Sequence, residues 1–187
     1  MTVNLTEETI DAALSRLAPY LNAYLWLQTH RDACDVRSDA SFRKRFNAFY
    51  KVRRARDWQD QFFELLERRK GRASSFGEVL DALHSATGRY EASFASKLLA
   101  TIDPEMPVID SIVLQNLGVR LPAYGSDGRR SRIVELHGRL LSGLTTFLKT
   151  DVGRYLVKRF RATYPEADVT EIKMLDLVLW QTRPKKK

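Results

Sequence analysis

Apolar residues recur along this chain at intervals of three and four positions, and nowhere do they alternate one by one for the length of a strand. That spacing places side chains on one face of a helix, so the pattern predicts an all-α, multi-helix bundle. Thr6-Glu7-Glu8 opens the first helix, with acids at the positive end of its dipole and Ile10, Ala13, Leu14 and Leu17 on one side. Pro19 breaks or restarts it, and Tyr20, Leu21, Tyr24, Leu25 and Leu27 carry the pattern on toward His30. Residues 31–40 are polar and predict a loop. Ser41 is placed to cap a helix bearing Phe42, Phe46, Phe49 and Tyr50. Asp57-Trp58 opens another, with Phe62, Leu65 and Leu66 inward and Gly71 as its stop. Ser75-Phe-Gly-Glu78 has the form of a capping box, in which each of the two side chains accepts the other residue's backbone N–H.

Thr87-Gly88-Arg89 then predicts a tight turn into a helix over residues 91–102, where Phe94, Leu98 and Ile102 recur as one stripe. Pro104 and Pro107 forbid its continuation, and Asp110 stands where the N-cap of the next helix is expected, a helix running through Val113, Leu114 and Leu117 to Gly118. Residues 119–131 form the clearest long loop, basic at its end, and read as either a substrate-contacting loop or a connector. A long helix follows from Ile133 to Leu148 despite Gly138 and Gly143, Asp151 starts another, and Asp168 or Thr170 caps the last, which carries Ile172, Leu175, Leu179 and Trp180. Residues 183–187 predict a basic, disordered tail. The chain reads as a single helical domain over residues 1–182, or as two helical lobes meeting near residues 86–118.

Composition adds a partner. A hydrophobic share of 44% and an aromatic share of 10% in 187 residues suit a globular core, and a net charge of +8 favours a polyanion, nucleic acid before membrane. Cys34 is the only cysteine, so no intrachain disulfide forms and a reducing, cytoplasmic setting is expected. No apolar run reaches the roughly 20 residues that span a bilayer, and the first residues lack the basic start and apolar core of a signal peptide. His30, His84 and His137 are far apart and show no metal-ligand spacing, and no phosphate-cradling glycine loop occurs. Neither metal nor cofactor is expected. Cys34 reads as a structural thiol.

Two groups of residues carry candidate chemistry. Arg43, Lys44, Arg45, Lys51, Arg53, Arg54 and Arg56 make the densest basic region, interleaved with aromatics. Such a mixture suits backbone binding with base stacking, while the spacing of the aromatics is equally that of a buried stripe. The Thr87-Gly88-Arg89 turn could present backbone N–H groups to a phosphate. The second group is Lys97, a lone lysine in the run Ala95-Ser96-Lys97-Leu98-Leu99-Ala100, and Asp110 beyond the prolines. A lysine nucleophile must be neutral, which from an ordinary pKa of about 10.4 requires burial or neighbouring positive charge. The plain alternatives are that Lys97 reaches solvent or pairs with a carboxylate such as Asp110 or Asp176, that Asp110 only caps its helix, that Asp176 lies on a polar face, and that Trp58 and Trp180 are core.

With these residues in view, the chain resembles the helix-hairpin-helix DNA glycosylases, in which a hairpin, a helix, a loop ending in Pro-Val-Asp or similar, and a further helix follow one another. The matching residues are Thr87-Gly88-Arg89, the helix of residues 91–102, and Pro107-Val108-Ile109-Asp110. It is more similar still to short bacterial 8-oxoguanine-glycosylase-like proteins, through Ser96-Lys97-Leu98-Leu99, Pro107 with Asp110, and Lys173, Asp176 and Trp180. The departures are a single glycine in the hairpin, where the family has two, and a lysine nearer to the aspartate than the family's. The resemblance implies a DNA glycosylase or glycosylase/lyase acting on a damaged or modified base in duplex DNA, with Lys97 as nucleophile and Asp110 as the carboxylate that stabilises positive charge at the sugar. A non-catalytic nucleic-acid-binding module and a helical interaction domain are the other readings. The sequence assigns no oligomeric state.

Overall fold

The structure, a computed structural model, describes residues 3–182. The basic tail expected at 183–187 lies outside them. Ten helices form among the described residues: α1 (Glu7–Leu14), α2 (Ala18–Arg31), α3 (Ala40–Tyr50), α4 (Arg56–Arg69), α5 (Phe76–Thr87), α6 (Ala92–Ile102), α7 (Ser111–Asn116), α8 (Arg129–Leu148), α9 (Asp151–Thr163) and α10 (Glu171–Gln181). The described chain is all-α, as its periodicity predicts. It divides into two compact units, one from Pro19 to Asp103 and the other from the chain on either side, up to Ala18 and from Pro104.

Local hydrogen bonding explains most helix starts. Thr6 and Thr9 close a capping box on α1, and Ser75 and Glu78 close one on α5 through Glu78 N–H to Ser75 Oγ at 3.2 Å and Ser75 N–H to Glu78 Oε2 at 2.7 Å. The cap of α3 is Asp39 rather than Ser41, because the Asp39 backbone is extended and its carboxylate accepts the Phe42 N–H at 2.7 Å, which places Ser41 inside the helix. Thr150 caps α9, and Thr170, not Asp168, caps α10.

In the Pro19–Asp103 unit three of the four aromatics of α3 are core, and Phe49 is half-buried. Phe42, Phe46 and Tyr50 are buried with Phe62 and Phe63 of α4, and Phe46 meets Phe63 edge-on at 5.4 Å between centroids. The α5 and α6 helices pack on each other and on α4. The stripe expected at Phe94, Leu98 and Ile102 is not what α6 buries. Every residue from Ala95 to Thr101 is buried, and Phe94 and Ile102 are only partly so. Alanines and serines let neighbouring chain approach this helix closely on all sides, which a wider stripe of large residues would not allow.

The other unit repeats that arrangement around α10, which packs against α1, α7, α8 and α9 and is buried without interruption from Ile172 to Leu179. Asp176 is therefore not on a polar face. It is 8% exposed, and its carboxylate accepts from Lys173 Nζ at 2.9 Å, with Lys173 itself 1% exposed. Gly153, in the first turn of α9, sits where an added Cβ would lie 2.1 Å from the Phe147 carbonyl oxygen at the end of α8.

His137 of α8 is 4% exposed, and its Nε2–H donates to the Pro107 carbonyl at 3.3 Å. Burial pushes its pKa from 6.5 down to about 4, opposed by that hydrogen bond. The unfolded chain thus takes up a proton at 6.5 and the folded chain only near 4, so stability is complete above pH 6.5 and declines as pH falls toward 4. The expected loss at pH 5 relative to pH 7 is about 2 kcal/mol. Urea unfolding at both pH values checks it: the difference should shrink in His137→Gln, and an unchanged difference would refute the assignment.

Candidate nucleic-acid interface

Between residues 40 and 56 the chain carries seven cationic side chains and no acidic one. The fold divides them. Arg43 forms an ion pair with Asp60, donates to the Arg37 carbonyl at 3.0 Å, and lies over the Phe63 ring at 4.8 Å. Arg54 pairs with the buried Glu91 at 2.5 Å and lies over the rings of Phe94 and Trp58 at 5.2 and 5.6 Å. Both are held inside the unit by its own acids and aromatics. Lys44, Arg45, Lys51, Arg53 and Arg56 are exposed and have no ion-pair partner among the described residues. Lys51, Arg53 and Arg56 lie on or beside the short α3–α4 connection. Lys51 holds φ at +55°, the left-handed backbone that closes α3, while its side chain is left to solvent. Arg45 covers Trp26 at 4.2 Å, and Trp26 stacks on His30 at 3.8 Å.

The Thr87-Gly88-Arg89 turn offers less backbone than its sequence suggests. Gly88, at φ +73°, donates its N–H to the His84 carbonyl at 2.7 Å and so closes α5. Thr87 Oγ1 donates to the Leu83 carbonyl at 2.8 Å. Arg89 is exposed and remains the group of this turn able to meet a phosphate. Beside it His84 and Tyr90 stack at 4.0 Å.

Lys97 is 8% exposed on α6, so it does not reach solvent. Its Nζ donates to the Tyr50 carbonyl at 3.0 Å and lies 5.2 Å from the centre of the Phe94 ring and 6.0 Å from that of Tyr50. Tyr50 is the last residue of α3, so the lysine satisfies one of the terminal carbonyls of that helix and places positive charge at its negative end. Phe94 also faces Arg54, so two cations share its neighbourhood, with the Glu91 carboxylate bonded to one of them. Trp58 Nε1 is buried there with no hydrogen-bond partner among the described residues, a cost of about 1–3 kcal/mol for a stranded donor. Glu91 is the functional-looking group that the sequence pattern passes over: 5% exposed, it reads locally as an ordinary acid before a helix, and its partner Arg54 is 37 residues away.

Asp110 lies in the other unit from Lys97, and each is held by contacts within its own unit. The Asp110 Oδ1 accepts the Ile112 N–H at 2.8 Å, which makes it the N-cap of α7. Trp58 and Trp180 are half-buried. Burial raises the Cys34 thiol above its ordinary pKa, the direction opposite to a reactive thiolate. Among the described residues no group of His, Cys, Asp and Glu is placed to hold a metal ion, and no helix is long and apolar enough to cross a membrane. Comparison of this chain with protein-family models, with curated proteins and with solved structures finds no match.

Proposed function

We propose that this chain binds DNA and is a relative of the helix-hairpin-helix DNA glycosylases, acting as a glycosylase or glycosylase/lyase on a damaged or modified base. The observation that carries the DNA half of this reading is the set of exposed, unpaired cations at Lys44, Arg45, Lys51, Arg53 and Arg56. They are surplus to the ion pairs that hold the fold, and neutralising phosphates with release of condensed counterions is the role such charges fill best. The chemical half draws on the resemblance at Ser96-Lys97-Leu98-Leu99 and Pro107 to Asp110, with Lys97 as nucleophile and Asp110 as the stabilising carboxylate.

A second reading, a non-catalytic DNA-binding module of the same kind, is favoured by the setting of Lys97. An attacking amine needs its lone pair. A carbonyl acceptor and two aromatic faces are the surroundings of an ammonium.

Fluorescence anisotropy on a duplex over increasing salt tests the shared part. The expected log–log slope is about −4.5 for roughly five phosphates, falling to about −2 when Lys51, Arg53 and Arg56 are all changed to alanine. Absence of salt-dependent binding would remove both readings. Borohydride trapping on abasic and 8-oxoguanine duplexes separates them: a covalent adduct lost in Lys97→Gln supports the glycosylase/lyase. Base release without an adduct supports a glycosylase acting through water, and neither product across a lesion panel leaves the binding module.

A further inference from the structure

The segment after α7, which the sequence leaves as contact loop or connector, forms one wall of an open cleft of about 260 Å3 with Val119, Arg120 and Pro122. The opposite wall is α8, where Arg132, Glu135, Leu136 and Arg139 follow one another at the spacing of a single helical face. Three guanidinium groups and one carboxylate therefore border a space whose remaining lining is apolar. Arg120 and Arg139 have no hydrogen-bond or ion-pair partner among the described residues, and Arg132 donates only to the Asp127 carbonyl. Glu135 stands one helical turn from both Arg132 and Arg139 and is paired with neither among the described residues.

The start of α8 sharpens the picture. Arg132, which lines the cleft, stands in its first turn, and Gly128 supplies no side-chain cap there. A cation at the positive end of a helix dipole is unfavourable, and an anion beside it reverses the sign. Guanidinium forks match the oxygens of a phosphate in pairs, which makes arginine the residue for that group. A bare ion would leave Val119, Pro122 and Leu136 unused, whereas a phosphate joined to an organic group fills both halves of such a cleft.

We propose that this cleft binds a phosphate ester, with Arg120, Arg132 and Arg139 holding the phosphate and the Val119, Pro122 and Leu136 surface receiving the attached organic group. The ester has two sources, a free nucleoside monophosphate or the backbone of a nucleic acid. The proposal goes beyond the DNA reading and does not rest on it.

The test titrates the full chain at low salt with three probes: inorganic phosphate, a fluorescent nucleoside monophosphate, and a short single-stranded oligonucleotide. Arg120→Gln and Arg139→Gln should each weaken ester binding about tenfold with unchanged melting curves. Glu135→Gln, which removes the charge that opposes the ligand, should strengthen it about two- to threefold, a gain that a purely structural role does not give. Losses with the mononucleotide assign a free ester, and losses confined to the oligonucleotide assign a backbone; both support the cleft. Affinities unchanged in all three variants, no binding of any probe, or inorganic phosphate bound as tightly as the esters would overturn it. The DNA reading is tested at Lys51, Arg53 and Arg56 instead, so the two proposals fail separately.

Discussion

Changing Asp176 to alanine should destabilise the fold by about 3–5 kcal/mol, among the largest effects of any single side chain in α10. The carboxylate is the acceptor for Lys173 Nζ at 2.9 Å, and the lysine side chain is 2% exposed against 11% for the aspartate. Removing the acid takes the carboxylate from a buried ammonium in a helix covered on all sides from Ile172 to Leu179, and a buried charge that loses its counter-charge costs more than the pair itself contributes. The pair as a unit is worth much less. The double variant Lys173→Met with Asp176→Leu should return to within about 1 kcal/mol of the parent chain, because well-packed apolar side chains of similar volume replace a buried ion pair at little cost. Chemical denaturation of the three proteins decides. Equal loss in the single and double variants would mean that shape, not charge, sets the requirement at this place.

Gly153→Ala is the second large effect. A methyl group built on Gly153 would lie 2.1 Å from the Phe147 carbonyl oxygen and 2.6 Å from Leu148 Cα. These are backbone atoms at the junction of α8 and α9, so no side-chain rotation relieves the contact and one helix must shift against the other. Overpacking of this kind costs about 3 kcal/mol, the upper part of the usual range. In a protein of this size that is roughly 6–12 °C in melting temperature. Gly138, inside α8, has nothing within 4 Å of an added Cβ, and Gly138→Ala should be neutral or slightly stabilising through helix propensity. The contrast between the two glycines is the measurement; similar melting temperatures for both variants would sink it.

What was legible in the sequence follows the range of the interactions. The caps at Thr6, Ser75 and Asp110 bond backbone two or three residues ahead, so their residue types announce them. Asp39 and Ser41 both suit a cap, and only the backbone torsions choose between them. Lys97 was visible as an anomaly because a cation in a run of small residues breaks the pattern. Its acceptor, the Tyr50 carbonyl, is 47 residues distant and belongs to a backbone that no residue type encodes. The same distance effect hid the division of the basic region. Nothing local separates Arg54, paired with Glu91, from Arg53, left to solvent. The all-round burial of α6 from Ala95 to Thr101 and of α10 from Ile172 to Leu179 depends on the helices around them, and periodicity within a helix reports only its own widest stripe.

The two-part course of the chain has a consequence for how it is made. The stretch from Pro19 to Asp103 is continuous, and its unit can close as soon as that stretch has left the ribosome. The other unit cannot. The α1 helix is held by Arg159 on Asp11 at 2.9 Å and by the Tyr164 hydroxyl on the Leu14 carbonyl at 2.6 Å, partners 148 and 150 residues later in the chain. At ordinary synthesis rates, Tyr164 emerges roughly 3–12 s after Asp103. During that interval Ile10, Ala13 and Leu14, buried in the finished fold, lack the packing that α9 and α10 give to α1. A nascent chain halted once Asp103 has cleared the ribosome, and before Tyr164 has, should therefore carry one protease-resistant core behind an N-terminal segment that is still cut.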